Sequence, residues 1–209
     1  MAKKIWRPWV PSDSLNGWRL DARSSRVLEH QDLGVVYFLS VCDPDHGAPA
    51  QVHPLRVERG GAITVPIDSA GRIGLIEEWR PQLQIAGSNL LDGNSWQHVG
   101  RRSLEVPGGF SDPGDEPSET AVKEANEEGR LAFERLERLG EVVDNRSFTV
   151  SLVTVFAGWG ASAPPGAPVR FVDWGEIAAM QQRGDIYCGL TLAALGILLL
   201  RYPQRYGGS

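Results

Sequence analysis

The chain is poor in the residues that build cross-links and metal cages. Its 209 residues include two cysteines, two methionines and four histidines. Cys42 and Cys188 lie far apart with no CxxC spacing, which excludes a disulfide framework and a cysteine-rich zinc site and suits a reducing compartment. A basic excess is missing too. With 21 Lys and Arg against 26 Asp and Glu the net charge is −5, which argues against a nucleic-acid surface. No membrane-length run is present: the most apolar stretch, Cys188–Leu200, has 13 residues and reads as a buried C-terminal helix. The start, MAKKIWRPWV, has basic residues with no apolar segment behind them, so no signal peptide is read. These absences lead us to expect a cytoplasmic protein with neither a nucleic-acid nor a membrane partner.

What is there fits a globular protein with 42% apolar and 22% charged residues. Two strand-like runs, RVLEHQ and VVYFLSVCD, form an N-terminal β region over residues 1–56, and a larger domain is expected over 57–209. Within that domain Ala62–Ile67 and Ile73–Trp79 read as a hairpin around a turn at Asp68–Gly71. Residues 84–101, rich in Gly, Asn and Ser, read as a loop carrying Trp96 and His98. Trp96 is either a lid residue that stacks on a base or sugar or part of a surface excursion, and His98 reads as the latter. SLEVPGG is a short strand, and EPSETAVKEANEE a helix whose Pro117 suits the first helical position. EVVDNR, FTVSLVTVFAG and VRFVDW are strand-like, GEIAAMQQR is helical, and a last helix follows Asp185. Strands outnumber helices in mixed order, which predicts an α+β fold with a mixed sheet.

The acidic helix carries the chemistry. Between Asp112 and Glu128 stand seven carboxylates and one base, Lys123. Glu124, Glu127 and Glu128 at i, i+3 and i+4 share a helix face, where they repel unless a cation intervenes. Oxygen donors of high charge suit Mg²⁺ or Mn²⁺. A solvated acidic face is the other reading of such a run. Ala121, Val122 and Ala125 supply a narrow apolar stripe for packing on a sheet.

The flanks narrow the choice. Gly109, Asp115, Lys123, Glu124, Glu127 and Glu128 stand in the spacing G-x5-D-x7-K-E-x2-E-E. This resembles the Nudix box, G-x5-E-x7-R-E-U-x-E-E-x-G-U, where U is a bulky aliphatic. Four positions depart from it: Asp115 and Lys123 keep the charge of the motif residues, Ala125 replaces an aliphatic, and Arg130 replaces the last glycine, with Gly129 one place early. The segments around Glu78-Trp79-Arg80-Pro81 and Glu105-Val106-Pro107-Gly108-Gly109 further resemble the ADP-ribose pyrophosphatase branch.

The resemblance implies a Nudix-like α/β/α sandwich and metal-dependent hydrolysis of a nucleoside diphosphate linked to a second group, ADP-ribose to AMP and ribose 5-phosphate foremost. A nucleotide-sugar diphosphatase acting on GDP-mannose or a UDP-sugar and a catalytically weak nucleotide-binding module are the alternatives. It implies that Glu105, Glu124, Glu127 and Glu128, with the Gly109 backbone, hold the cation. Arg80 would contact substrate phosphate or ribose, and Asp115 would pair with Lys123 to brace the loop. The loop GWGASAPPGAP, where relatives often place a catalytic glutamate, holds no acid, so Glu127 or Glu128 is expected to serve as base. The N-terminal strands are expected to build a homodimer.

Overall fold

A computed structural model describes residues 19–20, 26–30, 34–42, 51–57, 60–85, 96–143 and 149–206. Two compact units result, Met1–Arg59 with Val143–Leu152, and Gly60–Val142 with Val153–Ser209.

The first unit is a five-stranded sheet of β1 (Arg19–Leu20), β2 (Arg26–His30), β3 (Gly34–Cys42), β4 (Gln51–Val57) and β10 (Thr149–Val150). β3 is its centre and pairs antiparallel with β1, β2 and β4, while β10 joins β4 in parallel. The two N-terminal runs read from sequence are β2 and β3. The stretch FTVSLVTVFAG is divided rather than continuous: β10 belongs to this sheet and its remainder to the other.

The second unit holds a seven-stranded mixed sheet and four helices among the described residues. Its strands are β5 (Gly61–Ile67), β6 (Ile73–Ile85), β7 (Trp96–Glu105), β8 (Gly108–Phe110), β9 (Arg135–Val142), β11 (Val153–Trp159) and β12 (Val169–Val172). The helices are α1 (Pro117–Gly129), α2 (Trp174–Arg183), α3 (Gly189–Arg201) and α4 (Pro203–Tyr206). The order β12-β6-β5-β11-β9 contains one parallel pair, β5 with β11. None of these helices is long and apolar enough to cross a membrane.

β5 is buried at every position, because both of its faces are covered. Ile63, Val65 and Ile67 join the main core with Ile177 and Met180 of α2 and Leu195 and Leu198 of α3. On the alternate face Ala62 packs with Ala121 of α1, and Thr64 Oγ1 donates to the Ala121 carbonyl at 3.4 Å. The expected α+β sandwich is therefore present, with α1 on one side of the sheet and α2 and α3 on the other.

The β5–β6 turn falls where the sequence predicts it. Asp68 accepts from the backbone N–H of Ala70 and of Arg72, at 3.0 and 2.8 Å, and Gly71 takes φ +83°. β5 and β6 pair only at Ile67↔Ile73 and then part. The connection from β7 to β8 fills the gap: β7 pairs with Ile76–Ile85, β8 with Gly61–Ile63, and the Thr64 N–H donates to the Pro107 carbonyl at 2.9 Å.

This overturns part of the loop expected over 84–101. Ile85 ends β6 and Trp96–Arg101 open β7, while 86–95 lie outside the described residues. Gly, Asn and Ser cluster over 86–95, between the two strands, and the pairing of β6 with β7 extends into both ends of the expected loop. β9 begins six residues before the Glu141 start that the sequence predicts, because its RLERLGEV carries four charges, at Arg135, Glu137, Arg138 and Glu141, and only Leu139 is buried.

One polar cluster pins β9 and β11 to the end of α3. The Glu137 carboxylate accepts from Tyr202 Oη at 2.6 Å, Arg135 at 2.8 Å and Trp159 Nε1 at 2.9 Å. The Tyr202 hydroxyl, ahead of the Arg135 and Trp159 donors, holds its carboxyl below the usual range, while partial burial opposes this. A depressed folded-state pKa gives stability that is complete above the unfolded value, about 4.3, and is lost as pH falls through the folded one. Glu137→Gln should therefore lower stability at neutral pH by about 1–3 kcal/mol. In urea melts across pH the gap to wild type should close below about pH 4; a gap independent of pH would show that the charge does not matter.

Candidate active site

The site is built where β8 meets α1. Neither glycine of β8 has room for a side chain. A Cβ at Gly108 would lie 2.4 Å from Ile63 Cγ2, and one at Gly109 would lie 2.5 Å from the carboxyl carbon of Glu124. The Glu124 carboxylate thus rests directly on the Gly109 backbone. Beside it the Gly108 N–H donates to Glu128 Oε2 at 2.9 Å. The sequence-predicted Gly109, Glu124 and Glu128 are brought together by this contact.

α1 can come this close because its inward side is small. Thr120, Ala121, Ala125 and Gly129 are buried. Val122, expected in the same stripe, is 48% exposed, since one residue further along rotates it by 100° away from the sheet. At the N-terminus Glu119 accepts from the Glu116 N–H at 3.0 Å, which satisfies an otherwise open donor. Thr120 Oγ1 donates to Ser111 Oγ at 2.9 Å and ties the preceding loop to the helix.

The brace between loop and helix differs from the one the resemblance implies. Lys123 Nζ pairs with Asp112 Oδ2 at 2.6 Å. Asp115 instead closes the turn, its N–H donating to the Asp112 carbonyl at 3.0 Å, and acts on Lys123 only as a nearby charge. The hydrogen bond and charge of Asp112 push the Lys123 ammonium pKa up.

Glu127 is exposed on the same helix, and Glu128 is half-buried. Partial burial, and after it the charge of Glu127, push the Glu124 carboxyl pKa up, with Lys123 opposing. Glu105 ends β7, is 2% exposed, and sits opposite Ile76 of β6. Among the described residues no three His, Cys, Asp or Glu side chains converge closely enough to enclose an ion. The glutamates are gathered by backbone placement without being drawn to one point.

The other predicted contacts lie along the hairpin. The side chains of Arg80, Trp96 and His98 are outside the described residues, but their backbones are placed. Arg80 pairs with Arg101, Trp96 with Ile85 and His98 with Leu83. Trp96 is at the far end of β7 from Glu105, up to about 30 Å away by the rise of a strand, so β7 does not bring it to the acidic helix.

Sequence reasoning missed Glu134. Its N–H donates to the Trp159 carbonyl at 2.9 Å, and its carboxyl carbon lies 2.5 Å from where a Cβ of Gly160 would stand. An acid is thus laid against the loop that has none of its own, across a sequence distance that no local signal spans. A cavity of about 660 Å³ at the β6, β7 and β12 strands is lined by Leu75, Glu77, Arg102, Ser103, Arg170 and Asp185. Its charges are already paired, Arg102 with Glu77, Arg170 with Glu176 and Asp185 with Arg183.

The order Gly129-Arg130 is explained by two separate demands. Gly129 is the last helical residue, and a Cβ there would lie 2.7 Å from Leu131 Cδ1 and 3.4 Å from Ile76 Cγ2. Arg130 then takes the left-handed cap, φ 51° and ψ 37°, and is the one described non-glycine residue with positive φ. The helix exit keeps the place where the Nudix box has glycine, and arginine bears the strain.

No family model and no curated protein sequence matches the chain. Among solved structures it is similar to one described as the crystal structure of an ADP compounds hydrolase. The TM-score is 0.67 at 17% sequence identity, over 93% of this chain and 98% of that one. The likeness is one of fold. Gly129→Ala should destabilise the protein in urea melts. Arg130→Gly should stabilise it by about 1 kcal/mol, and an unchanged midpoint would refute strain at the cap.

Proposed function

We propose that the chain is a Nudix-type hydrolase that cleaves the diphosphate of a nucleoside diphosphate linked to a second group, with ADP-ribose the first candidate. The observation that carries this reading is the seating of α1 on Gly108 and Gly109 through Glu128 and Glu124. Glu124 and Glu128 there lie against a bare backbone strap, with Glu105 at the end of the adjoining strand. The fold shared with a structure titled as an ADP compounds hydrolase supports it.

The donor set fits a hard divalent cation, Mg²⁺ or Mn²⁺, by its chemistry. All donors are oxygens, and the backbone at Gly109 carries no side chain to obstruct them. Glu105, Glu124, Glu127 and Glu128, with the Gly109 backbone, would hold the ion. Bound there, a cation offsets phosphate charge and lowers the pKa of a water.

In the reaction water adds to one phosphorus and the P–O–P bond breaks, giving AMP and ribose 5-phosphate from ADP-ribose. Glu127, exposed on the helix, or Glu128 would accept the proton of that water. The Asp112–Lys123 pair keeps the loop before α1 in place while this happens. Arg80 would meet a substrate phosphate or ribose. On the same reading residues 1–56 serve as a dimerisation element of a cytoplasmic homodimer.

Incubation with Mg²⁺ and a panel of ADP-ribose, NADH, GDP-mannose, UDP-glucose and dinucleoside polyphosphates, followed by chromatography, tests the assignment. AMP and ribose 5-phosphate should accumulate fastest from ADP-ribose. Glu124→Gln should cut turnover on the order of 100-fold or more with its melting temperature retained. Wild-type turnover in that variant would sink the reading. Tight binding of one compound with hydrolysis of none would replace the enzyme by a binding module.

A further inference from the structure

The cavity at β6, β7 and β12 is a concave site apart from the acidic helix: Gly109, Glu124, Glu127 and Glu128 are not among the residues that line it. Its volume of about 660 Å³ falls in the range of small-molecule pockets. Leu75 and Leu104 supply apolar wall. Glu77, Asp185, Arg102 and Arg170 bring two acids and two bases, so the lining is electrically balanced. Ser103 also lines it, 1% exposed, and its Oγ has no hydrogen-bond partner. Buried hydroxyls are nearly always satisfied, so this wall is short of one polar contact.

The charges of the lining are paired without being used up. Arg102 Nη1 donates to Glu77 Oε1, and Arg170 Nη2 to Glu176 Oε1. Arg183 directs both of its bonds, at 3.0 and 2.9 Å, to Asp185 Oδ2. A guanidinium has several N–H donors and a carboxylate two oxygens. Spare donors on Arg102 and Arg170, with Glu77 Oε2 and Asp185 Oδ1, are therefore left to bond a ligand. A charged ligand would have to break one of these pairs, whereas hydroxyl groups can join them as they stand. Trp79 lies directly across the ladder from Arg102 and is 59% exposed. An indole left in water at that place offers a flat apolar surface for stacking.

We propose that this cavity binds an uncharged ring rich in hydroxyls, a glycosyl group, at a site separate from the one on the acidic helix. Trp79 covers the C–H face of the ring. The spare N–H groups of Arg102 and Arg170 donate to its hydroxyls, which in turn donate to Glu77 Oε2 and Asp185 Oδ1. The Ser103 hydroxyl gains the partner it lacks. Because the ion pairs already hold these side chains in place, little ordering is left for the ligand to impose. Such a ring could come as a free sugar or as the ribose of a nucleoside. Neither source requires a metal ion, so the proposal does not rest on the hydrolase reading.

The test is made on the full chain in EDTA, by saturation-transfer NMR and calorimetric titration with glucose, maltose, adenosine and glucose 6-phosphate. At least one of the three neutral probes should bind, with an affinity indifferent to salt. Binding of the sugars identifies the source as a free sugar, and binding of adenosine alone identifies it as a nucleoside. Trp79→Ala and Asp185→Asn should each weaken binding about tenfold with the melting temperature retained. Ser103→Ala should weaken it too, with an unliganded melting temperature no lower than that of wild type. No binding of any neutral probe would overturn the proposal, as would wild-type affinity in all three variants. Tighter, salt-sensitive binding of glucose 6-phosphate would also overturn it, by showing an anion site. Since no Mg²⁺ is present, each of these results leaves the hydrolase reading standing.

Discussion

Close approach of a helix to a strand's bare backbone is the constraint on which the second unit depends. Ala62 and Ala121 meet across that approach, and Ala125 and Gly129 continue the small side of the helix. With no side chain at Gly108 or Gly109, carboxylates from α1 reach the peptide groups themselves. An N–H donating to a carboxylate is a strong hydrogen bond for its size. It offsets part of the repulsion that three like charges on one helix face generate. A larger residue on either side would separate the layers and leave the glutamates without their strap.

The sheet supplies the strap by opening. Had β5 and β6 stayed paired beyond Ile73, no gap would exist for the β7–β8 connection, and Pro107 could not accept from Thr64. The long β6–β7 ladder fixes Glu105, and β8 fixes the glycines three and four residues later. Glu105 and the helix are thus placed by separate elements whose register is set by the covered faces of β5. A slip of one residue would exchange those faces, so the core on the α3 side guards the geometry on the α1 side.

Much of this was legible in the sequence because it is periodic or punctuated. The hairpin around Asp68–Gly71 announces itself by alternation and turn chemistry, and α1 by Pro117 and its spaced glutamates. The same spacing named Gly109, Glu124 and Glu128, which the fold does bring together. What stayed hidden depends on partners distant in the chain. β7 begins at Trp96 because β6 pairs with it, despite the loop-forming composition just before it. β9 is a strand because β11 pairs along its whole length, despite a charge at nearly every second residue. Lys123 chose Asp112 over Asp115, a matter of how the loop folds back that no spacing records. Glu134 meets Gly160 only because β9 and β11 lie side by side.

The last turn of α1 breaks two local rules at once. Helix C-termini are the negative end of the macrodipole and favour cations, each worth about 0.3–1 kcal/mol. Here the turn carries Glu127 and Glu128, has no basic residue within it, and is followed by Arg130 in a conformation that glycine adopts freely. The Arg130 charge at the cap offsets some of this, at the expense of backbone strain. Packing does not demand Glu127, which is exposed, whereas Glu128 accepts the Gly108 N–H. A sequence folded for stability alone would place lysine where Glu127 stands and glycine at 130. Violations that cluster while the rest of the helix obeys its rules mark the segment whose residues answer to something other than folding. In this chain that segment lies against Gly108 and Gly109, the same strap from which a diphosphate-cleaving site would be built.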